Sequence, residues 1–200
     1  LKVAVDITNK CDMACEMCWY HSEKISQKPP EQHISCSLFS NLIKELKSLK
    51  VNTILLTGEG EPLMHPDFFE LINIACKQKI NIELMTKGFY LDKNNLSRLI
   101  EMGLKKILVS LHCADIETFK KIRPSRDGHD LYTLIDNLHL LKSLKGKRLY
   151  PLLYIINVIS TLNYRNIDKI ASLAQELSVN KLLLKPVATT PALNNDLTPS

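Results

Sequence analysis

Six short apolar runs recur along the chain, over 3–7, 53–57, 80–86, 106–111, 152–160 and 181–185, and a segment with helical spacing follows most of them. As a set they are near-continuous apolar runs rather than polar/apolar alternations. Strands that are apolar on both faces belong in a parallel sheet covered by helices and joined by right-handed crossovers. Ser37 is placed to cap a helix carrying Leu38, Leu42, Ile43, Leu46 and Leu49, and Pro66–Asp67 opens one carrying Phe68, Leu71, Ile72 and Ala75. Further helices are predicted over 94–102, within 115–145 and over 166–177. A doubly wound open sheet and a barrel-like (βα)6 sheet share this periodicity, and the pattern leaves both open. In either, ligands gather at the carboxyl ends of the strands.

Cys11, Cys15 and Cys18 directly follow the first strand in a C-x3-C-x2-C arrangement. The spacing is too tight for pairwise disulfides to close a loop, but it suits thiolates converging on one cofactor. A [4Fe–4S] cluster is usually held by four Cys thiolates. Three local thiolates leave one iron without a cysteine, and an open metal position is what a reactive site needs. The competing assignment adds His21 to make a Cys₃His zinc site, although structural zinc motifs usually pair their ligands across a longer loop. No apolar leader pattern opens the sequence, so a reducing, cytoplasmic setting is expected, where thiols bind metals.

Two hundred residues with 45% apolar and 24% charged content describe one globular domain with ample core. No apolar run approaches the roughly 20 residues needed to span a bilayer. The formal net charge of +5 comes largely from lysines scattered along amphipathic segments, such as Lys44, Lys47 and Lys50. That distribution describes a solvated helix face rather than a nucleic-acid surface, and a mildly basic face also suits an acidic electron-donor protein. The chain starts at Leu1 inside a strand-like run and closes on a polar, Pro-punctuated stretch. A core domain over 1–188 is expected, with 189–200 a linker toward a C-terminal region of a longer protein.

The rim holds further candidates. The second strand ends in Thr57-Gly58-Glu59-Gly60-Glu61-Pro62, where two glycines permit close approach of a ligand to the backbone and Glu61 can accept from an ammonium group. Thr86 and Ser110 end the third and fourth strands with short hydroxyls suited to ribose or carboxylate oxygens, and Asn157 places an amide among apolar neighbours in the fifth. Cys113 is a candidate hydrogen-atom donor, although a lone cysteine is more often a small core residue, and Cys36 and Cys76 are assigned to packing. His33, His65, His129 and His139 lack ligand spacing.

Taken together, these residues resemble the radical SAM superfamily, whose C-x3-C-x2-C signature is matched by Cys11, Cys15 and Cys18. Its Gly-Gly-Glu-Pro turn is similar to Glu59-Gly60-Glu61-Pro62, with Glu59 in place of the first glycine. Its Thr-Asn-Gly turn looks like Thr86-Lys87-Gly88, with Lys87 a departure, and its strand-four hydroxyl looks like Ser110. The resemblance implies a partial (βα)6 TIM-like barrel. It also implies a [4Fe–4S] cluster on the three cysteines, with an open iron chelating S-adenosylmethionine (SAM). Glu61 and Gly60 would then receive the methionine ammonium, and Met17 would sit near adenine, with Trp19 and Tyr20 available for stacking. Reductive cleavage of SAM would give a 5′-deoxyadenosyl radical that abstracts hydrogen from a peptide, sugar or other small molecule, with a flavodoxin or ferredoxin as electron donor. The chain looks most like the branch that often carries a C-terminal extension with auxiliary clusters; a radical SAM RNA methyltransferase-like enzyme, or a non-catalytic Fe–S or zinc module, is the alternative. The covering element being expected outside this sequence, the piece alone should bind cluster and SAM yet turn over slowly.

Overall fold

The protein was analysed as a computed structural model describing residues 1–124, 128–189 and 195–199. Six strands form one sheet: β1 (Lys2–Asp6), β2 (Thr53–Thr57), β3 (Asn81–Thr86), β4 (Lys106–Ser110), β5 (Leu152–Ile159) and β6 (Lys181–Pro186). All neighbours pair in parallel, and the strand order in space is the order in sequence. A doubly wound sheet reverses strand order at a switch point; an unreversed order keeps every right-handed crossover on one face and curves the sheet. The result is a partial barrel, open between β1 and β6.

The crossovers carry α1 (Cys36–Ser48), α2 (Phe68–Lys77), α3 (Lys93–Glu101), α4 (Ile116–Ile122), α5 (Leu131–Lys145) and α6 (Ile167–Glu176). Helix α1 starts earlier than the apolar spacing suggests, because Ser35, not Ser37, accepts the Leu38 N–H at 3.2 Å and so caps the helix. The stretch 115–145 is two helices, each with its own aspartate cap: Asp115 accepts from Thr118 N and Asp130 from Thr133 N. Pro124, which has no N–H to continue the ladder, follows the first of them.

The core has two layers. Ile54, Leu56, Ile82, Leu84, Ile107, Val109 and Ile155 pack outward against Phe39, Ile43, Leu71, Leu96, Leu134 and Leu138 of the helices. Each fully buried aliphatic side chain contributes about 1.5–3 kcal/mol, so this layer dominates stability. The intervening residues face inward, where Leu55, Leu108 and Ile156 cluster with Met85, Tyr154 and Leu183. Below them Leu55, Glu83 and Lys106 share one cross-strand row, and Glu83 pairs with both Lys106, at 3.0 Å, and Lys2. Ion pairs thus close the amino-terminal end, and chemistry is left to the carboxyl rim.

Candidate active site

Beyond β1 the backbone keeps pairing with the turn after β2. Ile7 N–H donates to Thr57 O (3.1 Å), Gly60 N–H to Thr8 O (3.1 Å) and Glu61 N–H to Lys10 O (2.7 Å). A Cβ on Gly58 would stand 2.4 Å from Thr8 O, and one on Gly60 2.1 Å from Lys10 O. Both glycines are therefore required by the close approach of the protein's own backbone. Their effect is to lay the strand that leads into the cysteines against the Glu61 turn.

The cysteine loop is latched elsewhere too. Ala14 N–H donates to Pro124 O at 3.0 Å and Glu16 N–H to Ile122 O at 2.9 Å, which sets Cys15 opposite Arg123. Asp12, buried beside Cys11, accepts from Tyr90 Oη at 2.7 Å, pairs with His129 Nε2 at 2.8 Å, and forms an ion pair with buried Lys87. Two separate loops, the one after β3 and the one before α5, converge on that one carboxylate.

The three cysteines line a cavity of about 200 Å³ at the carboxyl end of the sheet, together with Met17, Gly60, Glu61, Thr86 and Ser110. Lys87, His112 and Arg123 complete its polar wall. Burial pushes all three thiols up; Lys87 opposes this most at Cys11, Arg123 at Cys15, and the His21 N–H, 3.3 Å from the sulfur, at Cys18. Among the described residues no three His, Cys, Asp or Glu converge tightly enough to share a single ion, and His21 Nε2 is engaged at the Asn9 carbonyl (2.8 Å). Three sulfurs round one cavity offer thiolate donors of the kind an iron–sulfur cluster takes.

Opposite walls of the cavity carry opposite charge. On the β2–β3 side Glu61 is 2% exposed; its Oε1 accepts from Thr86 Oγ1 (2.6 Å) and Leu63 N–H (3.3 Å), its Oε2 from Lys87 N–H (2.8 Å). Burial pushes its carboxyl up and these bonds oppose it. A carboxylate has about four acceptor positions, so one remains on Oε2. On the β4 side Arg123, 3% exposed, donates from Nη1 to Ser110 O at 2.6 Å and leaves Nε without a partner among the described residues.

A family model described as the radical SAM superfamily matches residues 5–174. The chain belongs to the radical SAM superfamily. Its members use a [4Fe–4S] cluster and SAM, and the thiols, the open cavity and its paired charges fit both groups. The chain is similar to GTP 3',8-cyclase of Aquifex aeolicus, 32% identical over 120 residues that cover 59% of this chain and 37% of that protein. A probable GTP 3',8-cyclase of Methanopyrus kandleri is 26% identical over 193 residues, covering 94% of this chain and 58% of that protein. The crystal structure of Streptococcus suis SuiB bound to S-adenosylmethionine shares the fold, with a TM-score of 0.80 at 14% identity, covering all of this chain and 43% of that one. The chain thus spans 37% and 58% of the length of these two curated relatives.

Within this radical SAM fold some sequence candidates lie away from the cavity. Asn157 is paired with Leu184 in a row on the outer face and donates to Leu111 O at 3.1 Å, because the strand's two-residue period turns it from the lumen. Cys113 is fully buried in the core, outside the cavity lining, and burial pushes its thiol up to about 12. Trp19 is half exposed, and Tyr20 directs its hydroxyl to Glu59 rather than lining the cavity. Arg123, His112 and Asp12 were missed by sequence reasoning. Arg123 lies outside any spaced motif, whereas Asp12, an acid inside the cysteine motif itself, was a usable signal.

Proposed function

We propose that the protein to which this chain belongs is a radical SAM enzyme in which Cys11, Cys15 and Cys18 hold the cluster. The observation that carries the reading is the single cavity in which three thiols face an anionic wall at Glu61 and a cationic wall at Arg123. When bound, the reduced cluster supplies the electron that cleaves SAM to methionine and a 5′-deoxyadenosyl radical, which takes a hydrogen atom from the substrate. The chain's own residues bind and orient. The remaining acceptor position of Glu61 and the Gly60 backbone suit the methionine ammonium; Ser110 and Arg123 suit its carboxylate, and Met17 and Thr86 complete the lining. The apolar residues Leu55, Met85, Leu108 and Ile156 below keep water from the reacting centre.

The substrate is a peptide, sugar or other small molecule, entering by the gap between β1 and β6, and the reductant is a small flavodoxin- or ferredoxin-like protein in the cytoplasm. No helix among the described residues is long and apolar enough to cross a membrane. Residues 1–188 serve as the core, with 189–200 a connecting segment. Part of that segment docks: Thr161 N–H donates to Leu197 O at 2.8 Å, and Lys24 pairs with Asp196 at 3.0 Å. RNA methyltransferase-like chemistry would want a further cysteine at the cavity, and Cys113 is packed away from it.

The test is anaerobic reconstitution with iron and sulfide, followed by reduction with dithionite in the presence of SAM. About four irons per chain and formation of 5′-deoxyadenosine are expected. Stoichiometric zinc with no brown chromophore would overturn the reading.

A further inference from the structure

His112 is 6% exposed, lies just past β4 and lines the same cavity as the three cysteines. Its ring is fixed by the protein. Nδ1 accepts the Val158 N–H at 3.2 Å, and the His112 carbonyl accepts from Asn163 Nδ2 at 2.7 Å. A ring that accepts at Nδ1 carries its proton on Nε2. Nε2 has no protein partner among the described residues. Burial and then the nearby Arg123 push the imidazole down to about 3, so it is neutral at any working pH.

The β4 wall therefore presents the Ser110 hydroxyl, the Arg123 guanidinium and one imidazole N–H, while the carboxylate Glu61 stands on the other side. Donors gathered round a buried cation suit an anionic oxygen and repel an ammonium. We propose that His112 is a binding residue for SAM, donating from Nε2 to its methionine carboxylate beside Arg123. This rests on the reading of the cavity as a SAM site. It goes beyond that reading by naming a donor that no signature residue supplies.

Glutamine and asparagine separate the two nitrogens of the ring. His112→Gln puts an amide N–H where Nε2 stands and gives up the bond to Val158; His112→Asn keeps an acceptor for Val158 and gives up the cavity donor. Equilibrium dialysis of the anaerobically reconstituted chain would use SAM and decarboxylated SAM, with iron content measured for each variant. H112N is expected to lose about tenfold in SAM affinity, typical of one hydrogen bond to a charged acceptor, and to bind decarboxylated SAM as the wild type does. H112Q should stay within about threefold of wild type for SAM, since it restores that one bond. Unchanged SAM binding by H112N, an equal loss for both ligands, or no recovery in H112Q would each overturn the proposal. A wild-type chain that holds its iron but binds no SAM would instead overturn the reading of the cavity.

Discussion

At the floor of the curved sheet Glu83 meets two lysines, Lys2 and Lys106, and Lys106 lies over the Tyr154 ring at 4.6 Å. At the rim Arg123 leaves a buried Nε without a partner among the described residues, His112 keeps an open Nε2, and Glu61 holds three bonds with one acceptor position to spare. The two ends share the same strands, but the rim groups are the more deeply buried. At the floor the charged groups pair with one another, Lys2 and Lys106 each on one Glu83 oxygen. The rim withholds part of its capacity, which costs stability and is retained where a ligand supplies the missing partner. Unused donors and acceptors on buried groups that line the cavity, together with its charges of both signs, mark the working end.

The sharpest contrast between the two ends should appear on removing the cysteines. Cys11→Ala, Cys15→Ala and Cys18→Ala are each expected to abolish the cluster, measured as iron and sulfide per chain and as the brown absorbance after reconstitution. His21→Ala should leave the iron content unchanged, since its ring is engaged at the Asn9 carbonyl. Retention of a full cluster in any one cysteine variant would remove that residue from the ligand set.

The rim should also be the less tolerant end for backbone changes. Gly60→Ala brings a Cβ to 2.1 Å from a carbonyl oxygen of the strand leading into the cysteines, where neither backbone can give way. A loss of about 3 kcal/mol or more is expected in denaturant unfolding of the apo protein. Gly103, with φ of +77° and nothing within 4 Å, provides the control: Gly103→Ala meets only backbone strain, about 1 kcal/mol. Equal losses at the two sites would show that the close packing at Gly60 relaxes.

Much of the architecture was legible because apolar strands on a 3.6-residue background of helices leave few ways to pack. Spacing could not choose between an open and a barrel-like sheet, since that choice depends on strand order, which no local pattern records. The cysteine motif and the Glu61 turn were legible because their residues are close in sequence. Arg123 was not, because it reaches Cys15 through two backbone hydrogen bonds between segments more than a hundred residues apart. Asn157 misled for a simpler reason: one residue of strand period separates the lumen from the outer face, where its amide nitrogen donates to Leu111 O and its Oδ1 has no partner among the described residues. The glycines at 58 and 60 were correctly singled out as tight, but the sequence could not say that the crowding neighbour was Thr8–Lys10.

Glu61→Gln tests a rim carboxylate that both holds the turn after β2 to the end of β3 and faces the cavity. Its two oxygens accept from Thr86, Leu63 and Lys87, so an amide group must point one of its N–H bonds at an existing N–H donor. The apo protein should lose about 1–3 kcal/mol of stability, the usual penalty for a buried donor left unpaired. SAM affinity should fall as well, roughly tenfold or more, as the charge facing the ammonium is removed. A variant that loses stability but binds SAM normally would confine Glu61 to clamping β2 against β3.

Glu83→Gln is the matching change at the floor, and the smallest effect is expected there. Burial alone would raise the Glu83 carboxyl, but hydrogen bonds from Lys2 and then Lys106 outweigh it and hold the group below its ordinary range. Lys2 is 42% exposed, so solvent screens part of the pairing and the contribution is about 1 kcal/mol. A carboxylate whose folded value is depressed stabilises the protein fully above its unfolded value, about 4.3, and that contribution disappears as pH falls through the lower folded value. The stability gap between wild type and Glu83→Gln should therefore be constant from neutral pH down to about pH 5 and close as the solution is acidified further. SAM binding and iron content should not change, because the apolar layer of Met85 and Leu108, one inward row nearer the rim, lies between Glu83 and the cavity. A gap that widened on acidification would reverse the sign of the Glu83 shift. An altered SAM affinity would show that the floor and the rim are electrostatically coupled through that layer.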